Sequence, residues 1–237
     1  MRTNELGQNI GEPVPGWTKR APPPRAAMAG RACTVLPLDP TRHARDLFDA
    51  YVVERTGVNW TYLPYGPYDR FEDYRAWADG AAAGEDPLFH AVLDNSGRAI
   101  GVASYLRIDP PVGVIEVGHI NFSPALQRGV ASTEAMYLMM RRVFDELGYR
   151  RYEWKCDALN APSRRAAERL GFVFEGVFRQ ATIYKGRNRD TAWFSILDRE
   201  WPMARAGFER WLDPSNFDAQ GRQRMSLAAC RASGAGG

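Results

Sequence analysis

The apolar positions change period several times along the chain, and each change marks an element. Residues 1–30 have little periodicity and carry Gly7, Gly11, Pro13, Pro15, Gly16 and the run Pro22-Pro23-Pro24, a composition that predicts an extended arm which Trp17 could pin. Residues 31–38 predict a strand, and 41–55 a helix with Ala44, Leu47, Phe48, Tyr51 and Val52 on one face and Gly57 as its stop. Trp60, Tyr62, Tyr65 and Tyr68 then fall among Pro64, Gly66 and Pro67, so these rings sit on a loop, where they cover a core or face a substrate. A second helix is predicted over 69–82, with Asp69 as its cap and Phe71, Tyr74, Trp77 and Ala78 on one face.

From Pro87 the period shortens to two. Residues 88–94, 99–108 and 112–122, separated by Gly and Pro turns, predict an antiparallel meander. The third of these strands leads through Ser123 and Pro124 into a long helix that Gly148 ends. A strand over 152–157, a helix over 160–170 stopped by Gly171, strands over 172–184 and 191–197, and a closing helix over 199–212 follow. Beyond Asp213 the chain is polar and is expected to be disordered. The pattern predicts one domain over 31–198 between an N-terminal tail (1–30) and a C-terminal helix with its tail (199–237).

Composition narrows the class. In 237 residues, 45% hydrophobic and 25% charged content is ordinary for a globular chain, and no window has the apolar length of a membrane span. The N-terminus lacks the apolar core of a secretory signal, which predicts a cytoplasmic protein. Cys33, Cys156 and Cys230 are too scattered for a disulfide framework or a metal cluster, so no metal is expected. A formal charge of +3 does not by itself call for a nucleic acid or a membrane. It suits an anionic small ligand equally well.

The turn into the long helix carries the first candidate chemistry. The opening amides of a helix have no partners within it, so Gln127–Ser132 would present N–H groups and the positive end of a dipole to a phosphate.

Three short motifs in order then resemble the GNAT superfamily of acetyl-CoA-dependent N-acetyltransferases, and within it the ribosomal-protein N-terminal acetyltransferase branch. They are Glu116-Val117-Gly118-His119 on a strand, Ser132-Thr133-Glu134-Ala135 opening the long helix, and Asn160-Ala161-Pro162-Ser163 followed by Arg169-Leu170-Gly171-Phe172 and Glu175-Gly176. The resemblance covers about residues 31–198. It implies an α/β (α+β) fold with a mixed, mostly antiparallel sheet of six to seven strands, flanked by about four helices and splayed at the acyl-CoA site. It departs from the family pattern in the phosphate loop, where Val130 stands at a usual glycine; backbone amides bind there, so Val130 serves if its φ is negative.

The resemblance implies acetyl-CoA as cosubstrate and transfer of its acetyl group to a primary amine by direct attack on the thioester. Cofactor contacts fall on Val117, Gly118, Gln127, Arg128, Gly129, Val130, Ala131, Ser132, Thr133, Asn160 and Ser163. Glu116 is the first candidate base, with an ion pair to a meander arginine as the alternative. His119 is a second candidate, able to share a face with Glu116 only if a bulge intervenes, and a hydrogen-bonded sheet histidine otherwise. Ser163 is a candidate proton donor to the leaving sulfur, or an ordinary first-turn serine; Asn160 is in any case a helix cap. Tyr62, Tyr65 and Tyr68 are expected to face the acceptor. The acceptor is a protein N-terminus, a peptide or a small-molecule amine; the competing class is a non-catalytic acyl-CoA-binding module, in a monomer or homodimer.

Overall fold

The computed structural model describes residues 2–233. Its centre is one sheet of eight strands in the order β3-β4-β5-β6-β7-β8-β10-β9. The short β3 (Met28–Ala29) precedes β4 (Thr34–Pro37), β5 (Leu88–Leu93), β6 (Ala99–Asp109) and β7 (Val114–Phe122). β8 (Arg151–Asp157), β9 (Val173–Tyr184) and β10 (Arg187–Leu197) complete it. Only β7 and β8 pair in parallel, because the long helix crosses over between them. The expected six or seven strands become eight because the end of the N-terminal arm pairs with β4 as an edge. A separate hairpin of β1 (Arg2–Thr3) and β2 (Asn9–Ile10) begins the arm.

Alternation along the strands sends side chains to two cores. On one face Leu88, Tyr105, Ile115, Val117, Tyr152, Trp154, Phe194 and Ile196 are buried with α3 (Val130–Arg141), α4 (Ala161–Leu170), α5 (Trp201–Leu212) and α6 (Leu227–Ala232). On the other face Phe89, Ala91, Leu93 and Val102 meet α1 (Pro40–Tyr51) and α2 (Phe71–Ala83). That second helical layer covers only the β4–β6 half. Over β7, β8 and β10 the same face carries charged side chains.

Two expectations about termini need correction. Asp69 does not cap α2: Arg70 takes the cap position and no side chain bonds to the first turn, which instead carries Glu72 and Asp73 against its positive end. The chain beyond Asp213 is not disordered over 214–232, where a 3-10 turn (Pro214–Asn216) and α6 bury Leu227 and Cys230 against α5. Its apolar anchors are too few and too widely spaced for the period to show them. The arm is held to the sheet domain at several points. The Trp17 indole donates to Pro111 O at 2.7 Å, Arg20 Nε to Gly148 O, and buried Arg142 to the carbonyls of Ala26 and Ala27.

Candidate active site

β7 and β8 are paired from Val114↔Arg151 to Val117↔Trp154 and no further, although β7 runs to Phe122 and β8 to Asp157. They diverge where the motif Glu116-Val117-Gly118-His119 lies. Opposite, β6 pairs Val102 with Asn121 but Ser104 with Gly118, so β7 carries one residue more than its partner: a bulge. His119 absorbs it at φ 50, in left-handed backbone. The bulge brings His119 onto the face of Glu116 and Gly118, the condition on which their cooperation depended; a Cβ at Gly118 would lie 3.5 Å from Glu116 Oε1.

Glu116 is buried and ion-paired. Its Oε2 accepts from Arg107 at 2.6 Å and from Lys155 Nζ at 2.9 Å. Lys155 also reaches Glu153 at 2.7 Å and stands 3.7 Å above the Trp193 ring. Arg151 extends the chain from Glu153 to Glu175, which accepts from Ser195. Glu116 is thus in the ion-paired arrangement that was its alternative to base. Lys155 was missed by the sequence reading, although the alternation of Glu153, Lys155 and Asp157 against Tyr152, Trp154 and Cys156 marks a charged strand face.

His119 is half-buried against aromatic rings. Its Nδ1 lies 3.2 Å from the Tyr65 hydroxyl, and its ring stacks on Tyr65 at 5.6 Å and packs on Phe89 at 5.1 Å. Burial pushes its pKa down to about 4, helped by the charges of Arg107 and Arg189, so the imidazole is neutral at physiological pH. Nε2 has no hydrogen bond among the described residues.

The aromatic loop reaches across the divergence. Tyr65 meets His119 and Trp77, and Tyr68 packs among Trp60, Tyr74 and Trp77. The Tyr62 hydroxyl donates to Leu159 O just before α4. From the β9–β10 turn Lys185 donates to Trp60 O and Arg187 to Thr61 O, while Gln127 donates from the other side to Asn59. The loop therefore caps a core through Trp60 and Tyr68, while Tyr62 reaches Leu159 and Tyr65 reaches His119.

The turn before α3 fits a phosphate group with one amide fewer than expected. The Gln127 N–H donates to Ser123 O and its side chain to Phe122 O and Asn59, so Gln127 is structural. Arg128 takes the left-handed conformation, φ 60, and Gly129 is the cap at φ −91. Val130 is the first helical residue, as its tolerance required. The amides of Arg128, Gly129, Val130, Ala131 and Ser132 have no acceptor among the described residues, the arrangement that receives a phosphate. Ser132 Oγ donates to Gly129 O, and Thr133 is buried with Oγ1 accepting from Arg169. Glu134 faces inward, its carboxylate accepting the N–H groups of Arg31, Ala32 and Cys33.

Asn160 caps α4, accepting from the Ser163 N–H. Ser163 Oγ accepts from Trp154 Nε1 at 3.0 Å, and its hydroxyl is within hydrogen-bonding reach of the Cys156 thiol. The Tyr184 hydroxyl donates to Asp157 Oδ2 at the end of β8, and burial raises its pKa to about 12. Sequence reasoning missed Asp157, which also receives the Leu159 N–H.

A sheet opened beside a bulge, facing free amides at the start of a helix, is an acyl-CoA-binding arrangement, and similarity agrees. Residues 34–173 match the acetyltransferase (GNAT) domain model. The crystal structure of a GCN5-related N-acetyltransferase from Brucella melitensis is 47% identical, with TM-score 0.91, over 92% of this chain and all of that one. An uncharacterised N-acetyltransferase, p20, of Bacillus licheniformis is 30% identical over 52% of this chain and 68% of its own length. A ribosomal L7/L12 α-N-protein acetyltransferase solved with coenzyme A shares the fold at 18% identity and TM-score 0.63, covering 73% of this chain and 99% of that one. The chain belongs to the GNAT family: it is an acyltransferase, an N-acetyltransferase with acetyl-CoA as its cosubstrate.

Proposed function

We propose that this enzyme acetylates a primary amine that enters beneath the 59–68 loop, and that the amine attacks the thioester directly. The observation that carries the reading is the bulge that turns His119 from the sheet into the loop, where Tyr65 holds it beside the opening between β7 and β8. Acetyl-CoA supplies an activated acyl group. The amides from Arg128 to Ser132 hold its phosphates, and Asn160 and Ser163 lie along the approach to the divergence.

The chain's own groups do the rest. When Nδ1–H donates to the Tyr65 oxygen, Nε2 is left as an acceptor that orients an amine N–H and takes up its proton. A histidine held near pKa 4 is a poor equilibrium base, so the amine is selected neutral from solution; the rate then follows the amine's own ionisation. Glu116, fixed between Arg107 and Lys155, anchors the strand in which Val117 and Gly118 present backbone toward the developing oxyanion. Ser163 Oγ–H is the proton donor for the leaving sulfur.

Thiol release from acetyl-CoA, measured on amine panels from pH 6 to 10, tests this. The expected kcat/KM climbs tenfold per pH unit below the acceptor's pKa and then levels, with no separate inflection near 6.5. An inflection near 6.5 that vanishes in His119→Gln would instead make His119 an ordinary titrating base.

A further inference from the structure

Three cations of the β9–β10 hairpin lie beside the 59–68 loop and the end of β8 without a carboxylate among the described residues. Lys185 Nζ donates to Trp60 O at 2.8 Å and Arg187 to Thr61 O at 2.7 Å, both on the aromatic loop. Arg189 donates from Nε to Thr191 Oγ1 at 3.1 Å, and its guanidinium lies 5.9 Å from the Tyr184 ring. Arg189, Thr191 and Trp193 alternate onto one face of β10, and Trp193 is opposite Lys155, so Arg189 shares the face of Glu116 and His119. It lies two residues beyond Asp157↔Thr191, the last β8 pair on that side, and the Tyr62 hydroxyl reaches Leu159 just past the end of β8.

None of the three makes an ion pair among the described residues. The nearby carboxylates are engaged elsewhere: Glu116 with Arg107 and Lys155, Asp157 with Tyr184 and the Leu159 amide, Asp190 with Gln180 and Asn188. Elsewhere on this chain Arg45, Arg75, Arg205 and Arg222 pair with acids, whereas Arg25, Arg31, Arg210 and Arg231 donate to backbone carbonyls. Burial and then the charge of Arg187 lower the Lys185 pKa, and Arg189 adds to the burial and the Arg107 charge that lower that of His119.

We propose that the acceptor is a small amine bearing an anionic group, a carboxylate or phosphonate, which Arg189 receives between Lys185 and Arg187 while Tyr62 and Tyr65 flank its body. The inference rests on the acceptor entering beneath the 59–68 loop. The anion supplies the missing counter-charge and leaves the amine directed at His119. Arginine suits the task because its planar fork matches a carboxylate or phosphonate in two bonds.

The test is acetyl transfer by the full chain to matched pairs: an aromatic amino acid and its amide, aminoethylphosphonate and ethylamine, and pentapeptides with acidic or neutral second residues. Wild type, Arg189→Gln and Arg189→Lys are compared, with thermal melts to establish folding. The expected result is a kcat/KM about tenfold or more higher for the anionic small amines than for their neutral partners. In Arg189→Gln that ratio falls to about one through acceptor KM, while Arg189→Lys keeps part of it. Equal rates within each pair overturn the proposal, as does preference for the acidic peptide over every small amine, or a rise confined to the KM for acetyl-CoA.

Calorimetry with N-acetylated products in the presence of CoA separates this from the transfer reading. A chain that turns over no amine, yet binds the anionic product and loses it in Arg189→Gln, supports the anion site and overturns the transfer. No turnover and no product binding overturn both.

Discussion

His119 and Glu116 stand three positions apart, and the bulge gives them different work. Replacing His119 by Gln keeps a neutral polar group in place of a proton acceptor, and kcat should fall by about two orders of magnitude with the melting temperature little changed. Glu116→Gln strips Lys155 of one of two carboxylates at a site where its side chain is 5% exposed, and breaking a buried pair costs about 3 kcal/mol. Its signature is a lower melting temperature together with a lower rate. Fluorimetry beside the kinetics distinguishes the two, and an Glu116→Gln protein as stable as wild type would show the ion pair to be unimportant. The motif residues were singled out through the family resemblance. What alternation could not show was which partners Glu116 would find, since Arg107 comes from β6 and Lys155 from β8.

At the scale of elements, the helices and central strands followed their periods because each buries one face against a sheet. Asn160 and Gly171 were readable as the ends of α4 because caps are local: the Asn160 side chain accepts the Ser163 amide and Gly171 takes φ 101. Asn160→Ala should cost about 1 kcal/mol and also raise the KM for acetyl-CoA. Unchanged KM at lowered stability would leave Asn160 a cap alone. Glu134, read only as part of a motif, joins α3 to the chain before β4 through three backbone N–H groups. Glu134→Ala leaves the buried Cys33 amide and two part-buried amides unpaired and should destabilise by about 2–3 kcal/mol, measured by urea unfolding. A loss of less than ~0.5 kcal/mol would mean that water replaces the carboxylate. Such a contact spans a hundred residues, which is why local pattern did not show it.

The whole molecule carries a pH dependence of stability that the reaction does not use. His90 is fully buried, neither ring nitrogen has a partner among the described residues, and burial with the charge of Arg142 lowers its pKa to about 4. A lowered folded pKa means that the unfolded chain binds the proton first as pH falls below 6.5. Stability is therefore complete above 6.5 and declines toward 4, by about 2 kcal/mol between pH 6.5 and 5 for this residue alone. His90→Leu should flatten that part of the curve of melting temperature against pH; an unchanged slope would place the titration elsewhere. The unequal cover of the sheet was not visible in the sequence. α1 and α2 shield half of one face, and the charged half beyond them is where the aromatic loop, the hairpin cations and the divergent strands converge.

The most direct measurement is thiol release from acetyl-CoA with mass detection of the product, wild type beside His119→Gln, on primary amines with and without an anionic group. The predicted result is one N-acetylated product per thiol released, with kcat collapsing in the variant while acetyl-CoA still binds. Tight acetyl-CoA binding with no product on any amine, or turnover indifferent to His119, would contradict the account.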